Sequence, residues 1–422
     1  MDKKSKRVLW ATIIVAFLLL AVFIKRIIAD GVNICDTDID YAITGQVGDF
    51  IGGVIGTIFT VAGFYFLYIT LSEQRKSFEQ ERLETRFFEM IKLYKENVNE
   101  LTYTEKQLVK ELPYSGYRVE KIKNKYVGRK VMKIIYHDFT LLYKELDFLF
   151  NESEIYEKKY KKLLEENLIL GKRNINLNEY AKIDIIYCII FFGLSSQDRL
   201  ALKNIFNARY RGEFIEKVIM FASLKPKEES RRWDIWMSFN KLTVRDKIKK
   251  FDDAWNEVVR QGLDPISDKG HYEIISILLP VNNENFNINK YYGGHQFRLG
   301  HYFRHIYQSI IYINNSKLKF GEKYENLKLL RAQISTFEQR LIFLNSISTM
   351  GRSWELEKIG KSSEVLNFND RLITKFNFIK NIPNDILIDD IKVSTYYPNV
   401  LLETNYDADQ ILERIELEKK YI

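Results

Sequence analysis

Residues 50–71 read FIGGVIGTIFTVAGFYFLYITL, 22 residues whose only ionisable groups are the phenols of Tyr65 and Tyr68. A helix rises about 1.5 Å per residue, so the run covers a hydrocarbon core of roughly 30 Å. Upstream, Val8–Ile24 (VLWATIIVAFLLLAVFI) adds 17 uncharged residues, followed by Lys25-Arg26 and then Ile27-Ile28-Ala29. With charged ends that snorkel, that run also spans. It exceeds the usual apolar core of a secretory signal and lacks a small-x-small cleavage site. The sequence therefore predicts a transmembrane hairpin over residues 1–71, with spans at about 8–28 and 50–71.

The flanks predict its orientation. Lys3, Lys4, Lys6 and Arg7 precede the first run and Arg75, Lys76, Arg82 and Arg86 follow the second, while Ala29–Asp49 holds five aspartates and no base. Basic flanks stay inside. Both termini and the main body are thus expected on the cytoplasmic side of a plasma membrane, with an acidic outer loop that carries Cys35. Lys25 and Arg26 run against this pattern, but at a helix end they reach the outer headgroups. Gly48, Gly52, Gly56, Thr60 and Gly63 follow one another at intervals of four, four, four and three residues, which predicts one small-residue face on the second helix. Such a face lets backbones approach closely in lipid, either within the hairpin or between copies in a homo-oligomer.

The whole chain has 422 residues, 46% hydrophobic and 28% charged, with 6 prolines and 20 glycines. Those proportions exclude a disordered or collagen-like polymer. The length suits two or three domains or one large helical one. A net charge of +8 suits acidic partners, nucleic acid or anionic lipid, without choosing between them. Cys35 and Cys188 cannot build a disulfide framework, and no Cys/His set has zinc-finger spacing. No cofactor and no metal are expected.

Beyond Leu71, Phe78, Leu83, Phe87, Met90, Ile91, Tyr94, Val98 and Leu101 recur at helical spacing with no Gly or Pro between them. A connecting helix over 72–102, continuous with the second span, is predicted. Residues 103–422 are then expected to form a large α-helical cytoplasmic domain, so the class is mainly α with few or no strands. Tyr103–Lys130, with eight bases, three glutamates, Pro113, Gly116 and Gly128, and with Tyr114, Tyr117 and Tyr126 interleaved, reads as a basic loop. Helical patterns follow over Gly128–Phe150, Ile155–Leu170, Asn178–Phe192, Ser196–Tyr210 and Phe214–Leu224. Ile183–Leu194 (IDIIYCIIFFGL) is too short to span a membrane and reads as a buried core helix in which Cys188 is packing. Residues 225–292 look less regular, with Tyr272–Ile277 the best strand and Pro280–Tyr292 a surface loop.

Three of the five histidines fall within GGHQFRLGHYFRHIYQSIIYIN, as His295, His301 and His305, beside Arg298 and Arg304. On a helix starting near Gly294, His301 and His305 share a face and Arg298 lies three residues before His301. Arg298, His301, Arg304 and His305 are the catalytic candidates, suited to phosphate binding or acid–base work near neutral pH. A metal lacks its third ligand there, since Gln296 and Gln308 are poor donors and the next acid is Glu322. The interspersed Phe297, Tyr302, Phe303 and Tyr307 also fit a core helix whose polar groups are simply satisfied. Downstream, Ser335 and Glu338 fit a capping box and Gly351 the far end of the same helix. Arg331, Gln333, Glu338 and Asn345 sit among Leu341, Phe343, Leu344 and Ile347, which predicts one buried polar network with the Arg/His helix.

Three stretches together resemble the phage abortive infection family of AbiC-like proteins. They are GDFIGGVIGTIFTVAGFYFLYITLSEQ running on to FFEM, then GHYFRHIYQSIIYI, then LRAQISTFEQRLIFLN. Residues 103–290 carry no part of the likeness. The resemblance implies a bacterial antiviral protein of the inner membrane that stops phage production at the infected cell's expense. The first expectation is an effector without covalent chemistry, whose cytoplasmic domain senses a phage-derived signal and whose hairpin acts on the bilayer. The alternative is a tethered, metal-independent ribonuclease, because Arg298 and His305 loosely resemble the HEPN-like motif, although Leu299 stands where a polar residue is usual. A plainer alternative is a membrane scaffold for a companion defence protein.

Overall fold

The computed structural model describes residues 3–29, 41–111, 118–151, 154–170, 175–281, 291–356, 370–388 and 391–403. The chain divides into two compact units, Met1–Phe88 and Glu89–Ile422.

The first unit begins with α1 (Lys3–Ala29) and α2 (Tyr41–Phe50), and continues through a π-helical turn (Ile51–Ile55) into α3 (Gly56–Glu100). Two stretches, Arg7–Ala29 and Thr44–Glu100, are long and apolar enough to cross a membrane, and only 6% and 0% of their apolar windows are buried. Trp10, Phe17, Leu18, Phe64 and Leu67 all point away from protein. Phe23 and Phe50 stack at 3.7 Å and 9°, joining α1 to the end of α2. Thr12, Thr60 and Thr70 each donate a hydroxyl hydrogen bond to the carbonyl four residues back. That turns the polar atom against the helix's own backbone.

Two expectations change here. Residues 41–49, expected within the acidic loop, are helical, and Cys35 lies outside the described residues. The single glycine face is also interrupted. A π turn closes i→i+5 bonds, so the helical phase slips between Gly48 and Gly56.

The second unit is helical around one central element. After α3 and a β-hairpin come α4 (Arg129–Glu145), α5 (Lys158–Leu170), α6 (Leu177–Phe192), α7 (Ser196–Phe206) and α8 (Gly212–Leu224). Then follow α9 (Trp233–Asn240), α10 (Val244–Arg260), α11 (Asp268–Leu278), α12 (Gln296–Asn314), α13 (Phe320–Arg331) and α14 (Thr336–Ile347). Helix α6 is buried on every side from Tyr180 to Phe191, Lys182 and Asp184 included, with α4, α12 and α14 packed on it. A helix with no polar stripe has to be covered on every side. Cys188 is fully buried, and burial pushes its thiol well above the usual range, so it packs rather than reacts.

Three segments depart from the sequence reading. The expected basic loop is an antiparallel pair, β1 (Thr102–Glu111) with β2 (Arg118–Val127), in ten-residue register. Alternating Val, Ile, Tyr and Thr among the lysines favour a pleated strand, and Pro113 and Gly116 lie between the two runs. The predicted strand at Tyr272–Ile277 is part of α11. Its buried residues, Gly270, His271, Ile274 and Ile275, keep helical spacing, and Ser267 caps it through Gly270 N. A short apolar run does not distinguish the two periods, and the cap decides. Residues 225–292 are correspondingly more regular than expected, since Thr243 caps α10 in the same way. Most of the Pro280–Tyr292 loop lies outside the described residues.

Candidate functional site

Helix α12 is set into the second unit at its N-terminus. Gly193 ends α6 at φ 92 and Gly294 precedes α12 at φ 79, and their backbones lie against each other. A Cβ on Gly294 would stand 2.2 Å from the Phe192 carbonyl oxygen, so only glycine fits. His295 N donates to Phe191 O at 2.8 Å, and Leu194 N to Tyr292 O at 3.2 Å. The buried His295 ring then lies 3.5 Å from the Asp138 carboxylate of α4 through Nε2, and 3.2 Å from Arg298 through Nδ1. Asp138 carries no sequence signal; α4 brings it in.

The four catalytic candidates separate on this helix. Arg298 donates through Nε to the Thr102 carbonyl at 2.8 Å and stacks on Tyr103 and Phe297; burial lowers its pKa. His305 Nε2 bonds the Met90 carbonyl at 2.7 Å. Seven residues apart, the two are about 10 Å apart along the axis. Arg298 holds a main-chain carbonyl just beyond the end of α3, and His305 holds one inside that helix. His301 and Arg304 are exposed. The pockets between α1 and α3, at the start of α4, and between α9, α10 and α11 include none of these four.

The expected single polar network is distributed over separate partners. Glu338, fully buried, accepts from Tyr94 at 2.7 Å and Tyr302 at 3.2 Å, and closes the capping box with Ser335. This carboxylate does link α14 to α12 and α3, and burial followed by its charge raises the Tyr94 pKa. Arg129 reaches it at 3.7 Å and also donates to the Gln333 carbonyl. Arg331 instead donates to the Phe376 and Asn377 carbonyls. Asn345 donates to Tyr187 Oη at 3.0 Å and accepts from Trp354 Nε1 at 3.1 Å. Gly351 lies just past this helix end, where a Cβ would meet Asn345 Oδ1 at 2.3 Å.

The densest polar cluster in the core has no counterpart in the sequence reading. Asp184 Oδ2, on the central helix, accepts from Arg352 at 2.7 Å, Tyr210 at 2.6 Å and Thr349 Oγ1 at 2.8 Å, while Oδ1 accepts from Thr349 N at 2.5 Å. Arg352 also donates to Tyr160 Oη and lies 4.7 Å over the Tyr180 ring. Burial opposes the guanidinium's charge, but Tyr180, Asp184, Tyr160 and Tyr210 outweigh it and hold the Arg352 pKa above its usual value. Burial and the Asp184 charge likewise push the Tyr210 phenol well up. An acid in the middle of an apolar run was the available signal, since a buried charge needs a partner. Among the described residues no group of three His, Cys, Asp or Glu side chains is placed to hold a metal ion.

Residues 294–387 match the family model described as "Putative phage abortive infection protein". This segment is AbiC-like. No curated protein and no solved structure matches the chain. The AbiC-like segment begins at the glycine that seats α12 and contains Glu338, Asn345, Thr349 and Arg352. It therefore supplies one half of the buried ion pair, while α6, outside it, supplies the other. Its buried charged groups bind backbone carbonyls, tyrosines and, through Arg352, the Asp184 carboxylate.

Proposed function

We propose that this chain acts in abortive infection as a membrane-anchored effector, its helical body receiving a signal and its N-terminal helices acting on the inner membrane. The observation that carries the reading is the pairing of an AbiC-like segment with two long apolar stretches that have almost no protein cover. So much bare apolar surface is untenable in water and ordinary in lipid. A Cβ at Gly48, Gly52 or Gly63 would meet nothing within 4 Å, which leaves those positions open to another helix, including that of a second copy. Because α3 runs unbroken from Gly56 to Glu100, it is suited to pass a change in the body to the bilayer. A phage-derived trigger or a companion protein would engage the body.

The test is infection of cells that express the chain, followed by fractionation and a membrane-potential dye. The protein should sediment with membranes, and depolarisation should precede phage release. Gly52→Leu should leave cells polarised without lowering the amount of protein. Arrested wild-type cells that keep their potential would remove the membrane-acting reading, and a soluble full-length product would remove the anchor.

A further inference from the structure

The contacts that seat α12 leave one stripe of it bare. Phe297, His301, Arg304 and Gln308 are exposed and follow one another at intervals of four, three and four residues, so they line a single face. The helix contains no aspartate or glutamate. Neither His301 nor Arg304 has an ion-pair partner among the described residues. A face with bases and no acids is complementary to an anion.

Phe297 opens the stripe and is held in place from below. Its ring is 69% exposed, yet the Arg298 guanidinium lies 4.1 Å from its centroid and 5.2 Å from that of Tyr103. Arg298 is itself fixed, because its Nε donates to the Thr102 carbonyl at 2.8 Å and the guanidinium meets His295 Nδ1 at 3.2 Å. Tyr103, Arg298 and Phe297 thus form a short stack drawn from β1 and α12, with an exposed ring as its outer member. A fixed aromatic ring beside basic side chains is how proteins hold unpaired bases. His301 and Arg304 stand about 6 and 10 Å further along the helix axis, where the phosphates of a strand stacked on Phe297 would pass.

We propose that the outer face of α12 binds single-stranded nucleic acid, with a base stacked on Phe297 and phosphates held by His301 and Arg304. The pairing of ring and bases selects this occupant. A duplex keeps its bases stacked on one another, and α12, with Leu299, Tyr302, Phe303 and Ile306 buried on its inner side, offers one stripe rather than the projecting helix that a major groove admits. An acidic peptide would use the bases and leave the ring in water; an apolar surface would cover the ring and leave the bases unmatched. The proposal deepens the signal-receiving half of the proposed function by naming what the body receives, and it does not depend on the membrane-acting half.

The test is binding of short oligo(dT) and oligo(U) strands to the full-length protein in uncharged detergent, over a range of salt. Loss of one stacked base predicts that Phe297→Ala weakens binding about 5- to 150-fold and leaves the salt dependence unchanged. Phe297→Trp should keep the affinity, while Phe297→Leu, apolar but not flat, should lose it as alanine does. Arg304→Gln should reduce the slope of log K against log salt by about 0.7, the share of one phosphate contact on a single strand. Arg260→Gln, on α10, makes the same change of net charge and should leave the slope alone. Circular dichroism shows whether each variant is folded. Binding of either strand in this pattern supports the proposal, and the tighter of the two identifies DNA or RNA as the source. No binding of either strand, a leucine variant that binds like wild type, an equal change of slope from the α10 variant, or tighter binding to a duplex or to polyglutamate would overturn it. Any of those results would leave the fractionation and membrane-potential outcomes, and so the anchor, standing.

Discussion

The outward face of α12 and the Asp184–Arg352 cluster are opposite kinds of polar site. The first is dense in sequence: two arginines and two histidines within eight residues, which the structure disperses to the Thr102 carbonyl, the Met90 carbonyl and solvent. The second is sparse in sequence, drawn from positions 160, 184, 210, 349 and 352, yet it converges on one carboxylate. Neighbours on a helix share a face but need not share a target. A single charge inside an apolar helix, by contrast, compels the rest of the fold to supply its partners.

The comparison is tested hardest by removing the carboxylate. Asp184→Ala leaves Arg352, 3% exposed, without its counter-charge, and should cost about 3–5 kcal/mol in urea denaturation of the full chain. Asp184→Asn, which keeps an acceptor, should cost less. A change below about 1 kcal/mol for the alanine variant would mean that the tyrosines and water suffice for the guanidinium.

Next in size is the seat of α12. Gly294→Ala forces a Cβ into the Phe192 carbonyl at positive φ and should cost at least about 2 kcal/mol. Gly300→Ala, six residues on, meets only Phe191 at 3.8 Å, and should stabilise by about 0.5–1 kcal/mol through helix propensity. Thermal melts of the two variants should move in opposite directions; movement in the same direction would contradict the stitched α6–α12 junction.

Both lessons bear on how much of this chain was legible. The apolar runs, the continuous α3, the buried α6 and the Ser335 box were readable, because each is set by local periodicity or a cap. The β-hairpin and α11 were missed where lysines masked an alternating pattern and where an apolar run fitted either period. Asp138 and Asp184 were passed over because their meaning lies in partners far along the chain. Periodicity reports which face is covered, not what covers it.

A buried histidine offers a smaller effect. His271 on α11 is 4% exposed with its Nε2 unpaired, and burial, then the nearby Arg199, pushes its pKa down to about 3. Asp268 is the acid that faces it. The folded-state pKa is below the unfolded one, so the unfolded chain binds the extra proton and stability falls as pH drops below about 6.5. By pH 5 this group should cost on the order of 2 kcal/mol. His271→Leu should lose that much less than wild type between pH 7.5 and pH 5 in parallel melts. Equal losses would show that the histidine is protonated in the fold.

The smallest expected effects decide what the face of α12 is for. If His305 fastens α12 to the Met90 carbonyl, His305→Ala should cost about 1 kcal/mol. His305→Gln, which can still donate, should recover most of that and retain cell arrest. His301→Ala and Arg304→Ala, at exposed positions, should stay within about 0.5 kcal/mol. An acid–base role predicts a different pattern, because glutamine cannot shuttle a proton near neutral pH. Loss of arrest in His305→Gln at unchanged stability, together with loss of RNA cleavage in dying cells, would move His305 from fastener to chemistry. Arrest that follows stability across the same variants assigns this face of α12 to packing, and leaves the N-terminal helices as the parts that act.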